Sequence, residues 1–177
     1  NTTNNGGGAL QLVKGTFTDE NSTFSNNLTP SKGGGINAEN ATLTLFNTSF
    51  QGNQSVFRGG AVRATDCNVT ATSVTLTSNA STNNSGGGFY IENGSFSDLN
   101  GTYSQNTAAF RGGAIRLIDC NVTLSGSVFS SNTSSGSSGG AVYVENGSLN
   151  ESNCVYSQNK AAYEGGALVL KNLPAQL

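Results

Sequence analysis

The sequence contains no histidine, methionine or tryptophan, and it has only three cysteines. Without histidine, and with cysteines that lie far apart in the chain, no spacing typical of a metal site is present. We therefore expect neither a metal nor another cofactor, apart from the covalent N-linked glycans discussed below.

Charged side chains are also scarce. They make up 10% of the chain, the net charge is −2, and the positive residues form no cluster along the sequence. Nucleic acids and anionic membranes normally require such a cluster, so we predict no nucleic-acid partner. No apolar run approaches the roughly 18 residues that a membrane-spanning helix requires, and no signal-peptide pattern is present, so we predict no membrane insertion.

Apolar residues are few as well, at 34% of the chain, and an unstructured low-complexity chain could share this composition. A recurring glycine pair argues against disorder, because it returns at steps of 26 or 27 residues. A step that regular predicts a structural repeat. The pair begins at Gly7, Gly33, Gly59, Gly86, Gly112, Gly139 and Gly165.

A second motif runs in step with the first. An aromatic residue or leucine is followed three residues later by asparagine, which always stands 20 residues after its glycine pair. We predict that these asparagines stack along the fold as a hydrogen-bonded ladder. The six pairs are Phe24/Asn27, Phe50/Asn53, Leu76/Asn79, Tyr103/Asn106, Phe129/Asn132 and Tyr156/Asn159.

The apolar positions within each copy have the spacing of strands. Counted from the first glycine of the pair, positions +3 and +5 are apolar in every copy, as in Ile115 and Leu117, and no helical period is present. One copy cannot bury such a face alone, whereas stacked copies form continuous apolar columns. The sequence therefore predicts an all-β fold, a right-handed parallel β-helix of about seven coils. Residues 1–177 would form one repeat domain, either complete or a segment of a longer solenoid.

A longer period of 53 residues is superimposed on the coil. The segment 58–70 returns almost unchanged as 111–123, so the duplicated unit is a pair of coils. At position +4, Arg and Tyr alternate from coil to coil, and we predict an outward-facing ladder of stacked cation–π pairs. Glu39, Glu92 and Glu145 at position +6 are placed to pair with the arginines. The four residues of this outer-face ladder are Arg63, Tyr90, Arg116 and Tyr143.

The cysteines follow the same periodicity. Cys67 and Cys120 occupy the same position two coils apart, or about 10 Å at the usual strand spacing. Bridged Cα atoms lie within about 7 Å, so a disulfide between them would require distortion. We favour buried free thiols for both, with a disulfide as the alternative, and Cys154 falls elsewhere in its coil.

Catalysis is a class to be considered, because many β-helices are polysaccharide lyases or hydrolases. Such sites need paired carboxylates or a base near clustered cations. The candidates here, Asp66 with Asp119 and Arg63 with Arg116, are repeat-equivalents, whereas an active site is a single irregular constellation. We predict that the protein is not an enzyme.

Asn-x-Ser/Thr triplets give the strongest functional signal. There are 15, more than chance placement of 24 Asn and 42 Ser plus Thr would give, and this triplet is the N-glycosylation acceptor in secreted proteins. The alternative is that asparagine-rich turns create such triplets by accident. Four lie in the asparagine ladder, where burial would protect them. The ten that we predict to carry glycans are Asn21, Asn40, Asn47, Asn68, Asn83, Asn93, Asn100, Asn121, Asn146 and Asn150.

The paired motifs resemble the repeats of the chlamydial polymorphic outer-membrane protein family. In this chain they read Gly112-Gly-Ala-Ile115 and Phe129-Ser-Ser-Asn132, with their copies over essentially the entire length. The resemblance implies a right-handed parallel β-helix that is displayed outside the cell as an adhesive passenger domain.

Both ends of the sequence lack the atypical capping repeat that usually closes a solenoid. The chain is therefore either part of a longer solenoid or a protomer that stacks head to tail into a fibre. We predict an extracellular, N-glycosylated structural β-solenoid whose main partner is itself. The alternative is an adhesin whose Arg/Tyr face binds a host receptor or glycan.

Overall fold

The computed structural model describes residues 1–4 and 6–173, which form strands and turns and contain no helix. None of these residues therefore belongs to a helix that is long and apolar enough to cross a membrane. Each coil has one strand of 11 residues followed by two short strands. The strands are β1 (Leu10–Glu20), β2 (Thr23–Ser25), β3 (Leu28–Thr29), β4 (Ile36–Phe46), β5 (Ser49–Gln51), β6 (Gln54–Ser55), β7 (Val62–Thr72), β8 (Thr75–Thr77), β9 (Ala80–Ser81), β10 (Phe89–Leu99), β11 (Thr102–Ser104), β12 (Thr107–Ala108), β13 (Ile115–Ser125), β14 (Val128–Ser130), β15 (Thr133–Ser134), β16 (Val142–Ser152), β17 (Val155–Ser157), β18 (Lys160–Ala161) and β19 (Leu168–Lys171).

Equivalent strands of successive coils form three parallel sheets. The long strands give a sheet of seven strands in the order β1-β4-β7-β10-β13-β16-β19, and the two short strands give sheets of six. Pairing keeps the sequence register, since Leu10 lies opposite Ile36 and Phe89 opposite Ile115. The predicted β-solenoid is thus confirmed, with six complete coils and the start of a seventh. Its right-handed winding stays a prediction.

Left-handed backbone conformations bend the coil at four positions, which are the first glycine of the pair and positions +7, +14 and +19. In the second coil these are Gly33, Asn40, Asn47 and Gly52, with φ of 66°, 53°, 48° and 62°. Glycine and asparagine tolerate this conformation best, which explains their abundance. The turn at +7 also shifts the inward side by one residue. Positions +3 and +5 point inward before it, and +8, +10 and +12 point inward after it.

The two glycines of the pair are needed for different reasons. Gly112 adopts φ of 65°, a left-handed conformation that favours glycine. Gly113 lies so close to the next coil that a Cβ atom would stand 2.1 Å from the Gly140 carbonyl oxygen. The pair therefore makes a tight turn against which the next coil packs directly.

Columns of apolar side chains fill the interior. At position +17, Tyr103 and Phe129 stack with ring centroids 4.7 Å apart. Leu76 interrupts this column, and the Phe89 ring fills the gap, 6.4 Å from Phe50 and 6.2 Å from Tyr103. Aromatic volume lost at one inward position is thus restored at another, which keeps the core packed.

The cysteines agree with the repeat geometry. Cys67 and Cys120 are free and buried, and Gly94 of the intervening coil pairs with both. Cys154 is also free and is half-buried. Cys67 and Cys120 therefore serve as small apolar residues of the core.

Candidate functional site

The six ladder asparagines form a continuous row of hydrogen bonds along the stack. From Asn27 to Asn159, each side-chain Nδ2 donates to the Oδ1 of the asparagine in the next coil at 2.8–3.1 Å. In all but the first, Nδ2 also donates to a backbone carbonyl of the preceding coil at 2.8–2.9 Å. Each Oδ1 beyond the first also accepts the backbone N–H of the asparagine before it.

This arrangement uses the whole hydrogen-bonding capacity of the interior amides. Asn53, Asn79, Asn106 and Asn132 are fully buried. An unpaired amide there would be costly, so the ladder fixes the position of each coil over the next. Burial also removes the triplets at Asn27, Asn53, Asn79 and Asn132 from the set accessible to a glycosyltransferase.

All ten asparagines that the sequence singles out as glycan acceptors are exposed. For six of them the backbone already favours asparagine, because they hold left-handed positions +7 or +14: Asn21, Asn40, Asn47, Asn93, Asn100 and Asn146. The other four have no such backbone requirement: Asn68, Asn83, Asn121 and Asn150. The local geometry therefore accounts for part of the triplet excess and leaves these four unexplained by the fold.

Side-chain contacts separate the two groups further. Asn47 Nδ2 donates to Asn21 Oδ1 at 2.8 Å, so this attachment atom is already bonded. Asn68 accepts a hydrogen bond from Ser95 through Oδ1, at 2.8 Å, and its Nδ2 has no partner among the described residues. Asn121 makes the same contact with Ser148 at 3.0 Å. Asn68 and Asn121 thus combine an unbonded Nδ2 with an Oδ1 that a serine of the next coil holds in place.

The alternating Arg/Tyr column is not the exposed face that its outward position suggests. Arg63, Tyr90, Arg116 and Tyr143 lie opposite one another in successive coils, but their exposed fractions are only 3–6%. The reason is the glycine turn, which folds back over position +4. These four side chains therefore offer little surface to a binding partner.

In two coils, the arginine that precedes the glycine pair lies over a tyrosine of the column. The Arg58 guanidinium lies 5.0 Å from the centre of the Tyr90 ring, and that of Arg111 lies 5.3 Å from the centre of the Tyr143 ring. Arg116 stacks on Tyr143 from within the column, at 4.4 Å. These cation–π contacts hold the turn against the strand beneath it.

Carboxylates at position +6 neutralise the buried arginines. Arg63 donates to Glu39 and to Asn37 Oδ1, and Arg116 donates to Glu145. The hydrogen bond from the arginine lowers the pKa of the Glu39 carboxyl, and Arg116 does the same for Glu145. Glu92 pairs with Arg58 at 3.2 Å instead of with an arginine at +4. The charges of this column are structural pairs.

Two buried aspartates were missed by the sequence analysis. Asp98 is 1% exposed, and its Oδ2 accepts the Ser127 hydroxyl of the next coil at 2.5 Å. Asp19 repeats the contact with Thr48 at 2.7 Å. Burial raises the pKa of Asp98 to about 6, although the Ser127 hydrogen bond acts in the opposite direction. The sequence does contain a pattern that indicates this contact. In both cases an aspartate at inward position +12 is followed, one coil later, by a serine or threonine at position +15.

Comparison with known proteins supports the repeat assignment. Residues 21–39 and 126–145 match the family model of the Chlamydia polymorphic membrane protein repeat. Each matched segment runs from the turn at +14 through a ladder asparagine to the next glycine turn. Two segments of the chain therefore match the repeat of this family, as the motifs predict. No curated protein and no solved structure matches the chain.

Proposed function

We propose that this chain is a structural, non-catalytic β-solenoid that is displayed outside the cell as a stiff rod. The observation that carries the proposal is the unbroken register, in which every coil lies over the next through three parallel sheets and the asparagine ladder. Its repeat is that of a family of membrane proteins, which favours a surface location.

The recurring carboxylates support a structural role over a catalytic one. Asp66 and Asp119 hold the same left-handed turn two coils apart, with φ of 55° and 53°, and both are exposed. Aspartate tolerates that conformation, so the backbone alone accounts for them. Neither one is part of an irregular cluster that could bind and turn over a substrate.

Surface display can be tested on the cells that produce the protein. Antibodies raised against the purified chain should label intact, non-permeabilised cells, and external protease should remove the label. Labelling that requires permeabilisation would contradict the proposal. A cytoplasmic protein from the same cells provides the control for leakage.

Glycan attachment is the second part of the proposal, and the exposure of all ten candidate asparagines supports it. We expect glycans first at Asn68 and Asn121, which are exposed strand residues whose Nδ2 atoms have no hydrogen-bond partner among the described residues, and none on the buried ladder. Peptide mapping before and after enzymatic deglycosylation measures this directly. An intact mass that does not fall on deglycosylation would refute it.

A further inference from the structure

Three aromatic side chains form a row on the outside of the rod. Phe57, Phe110 and Tyr163 stand two residues before a glycine pair and are 43%, 48% and 79% exposed. Their backbone N–H groups donate to Ser31, Asn84 and Ser137 of the preceding coil, so all six residues belong to one column. We call Phe57, Phe110 and Tyr163 the aromatic ridge.

The fold does not require aromatic residues at these positions. Serine or asparagine holds the same position in the alternate coils, where its backbone carbonyl accepts the N–H of the ridge residue. The ridge side chains lie outside the core. Large exposed apolar groups in a regular row therefore point to a binding surface.

The surface around the ridge is positive. Six of the eight lysines and arginines lie on this side of the rod with four carboxylates, which gives a net +2 here and −4 over the rest of the chain, for the total of −2. Two of the six, Arg63 and Arg116, are buried and paired with Glu39 and Glu145. The six cations are Lys32, Arg58, Arg63, Arg111, Arg116 and Lys171, and the four carboxylates are Glu39, Glu92, Glu145 and Glu164. A partner of complementary charge is an anion.

Two cations accompany the ridge directly. Arg58 follows Phe57 and Arg111 follows Phe110, so an aromatic ring and a guanidinium occur together at two of the three ridge positions, whereas Glu164 follows Tyr163. Arg111 has no carboxylate within ion-pair distance among the described residues, and its planar side chain lies on Tyr143. It retains N–H donors that can bind a carboxylate in two-point geometry.

The distance between successive ridge residues indicates which class of partner fits. Two coils at the usual strand separation span about 10 Å, which is comparable to one disaccharide of an extended β-linked polysaccharide. We propose that the aromatic ridge binds a linear acidic polysaccharide with one carboxylate per disaccharide. Its sugar rings stack on Phe57, Phe110 and Tyr163, and its carboxylates pair with Arg58 and Arg111.

This inference goes beyond the structural role proposed above. It does not depend on surface display, because it is tested on the purified chain. Hyaluronan oligosaccharides of increasing length are suitable probes, since each disaccharide carries one carboxylate. Calorimetric affinity should increase from the disaccharide to the hexasaccharide, which reaches all three rings, and should then level off. No binding, or an affinity independent of length, would overturn the proposal.

Matched variants locate the site. Phe110→Ala should weaken hexasaccharide binding at least about tenfold, as loss of an aromatic anchor does. Phe46→Ala is the control, because Phe46 is 45% exposed on another part of the coil. This variant should bind the hexasaccharide as tightly as the parent does. Arg111→Ala should also weaken binding, whereas Lys160→Ala on β18 should not. Equal effects of Phe46→Ala and Phe110→Ala would contradict the assignment.

Two further outcomes would overturn the proposal. Neutral cello-oligosaccharides should bind at least about tenfold more weakly than hyaluronan of the same length, since they lack the carboxylates. Equal affinity for the two oligosaccharides would show that the site does not recognise the carboxylates. If Phe110→Ala changes the sedimentation coefficient of the chain and leaves hyaluronan binding intact, the ridge is a contact between copies of this chain instead. Thermal unfolding of each variant checks that the fold is preserved.

Discussion

Asp98 shows how one residue makes an otherwise neutral core sensitive to pH. Its carboxyl group occupies inward position +12, where three of the other coils place alanine or leucine, and burial raises its pKa from 3.8 to about 6. Because the folded-state pKa is above the unfolded-state value, folding favours the protonated carboxyl. The resulting stability is fully present below pH 4 and is lost as pH rises through about 6.

We expect Asp98→Asn to remove this dependence, because the amide remains neutral and can still accept the Ser127 hydroxyl. The parent should lose about 2 kcal/mol of unfolding free energy, relative to the variant, between pH 4 and pH 7. Urea unfolding at a series of pH values measures this difference. Asp119→Asn, at an exposed turn, is the control and should parallel the parent. A parent curve that parallels Asp98→Asn would contradict the pKa shift.

At the scale of the structural element, the asparagine ladder acts as one unit. Within the described residues, contacts between strands join only equivalent strands of adjacent coils, so stability depends on each interface between neighbours. Asn106 contributes to two such interfaces. It accepts from Asn79, and it donates to Asn132 and to the Leu76 carbonyl.

We expect Asn106→Ala to destabilise the protein by about 3 kcal/mol or more, because several buried partners lose their hydrogen bonds together. Asn106 is not part of an Asn-x-Ser/Thr triplet, so glycan loss cannot confound the result. Asn159→Ala is the matched comparison, at the half-buried end of the ladder. It should lower the free energy of unfolding by less, because water can replace the lost hydrogen bonds there. Chemical unfolding of both variants provides the measurement, and equal costs would argue against a cooperative ladder.

At the scale of the whole molecule, the described coils form one continuous stack. In the first coil, Phe24 stacks on Phe50 with ring centroids 5.0 Å apart, and within the described residues no ring covers its other face. A second copy placed end to end would continue the column and the sheets. We propose that copies of this chain stack in this way, and because such a contact does not close on itself, repeated stacking would give a fibre.

We therefore expect purified chains to form rods that lengthen with concentration, visible by negative-stain microscopy and by sedimentation velocity. Phe24→Lys should suppress this growth by placing a charge in the stacking face. Phe46→Lys, at an exposed site remote from the column ends, should not. Single, concentration-independent particles of the parent chain would refute end-to-end assembly.

The sequence by itself determined the coil, because a parallel stack in register places equal positions of each repeat on top of one another. Period, strand spacing and the ladder from Asn27 to Asn159 follow from that rule alone. Tertiary structure decided which outward positions reach solvent. Arg116 and Tyr143 are buried because the glycine turn folds back over them, and Asp98 points inward because the left-handed residue at +7 shifts the alternation. The ridge at Phe57, Phe110 and Tyr163 became visible only once the coils were stacked and its neighbours identified.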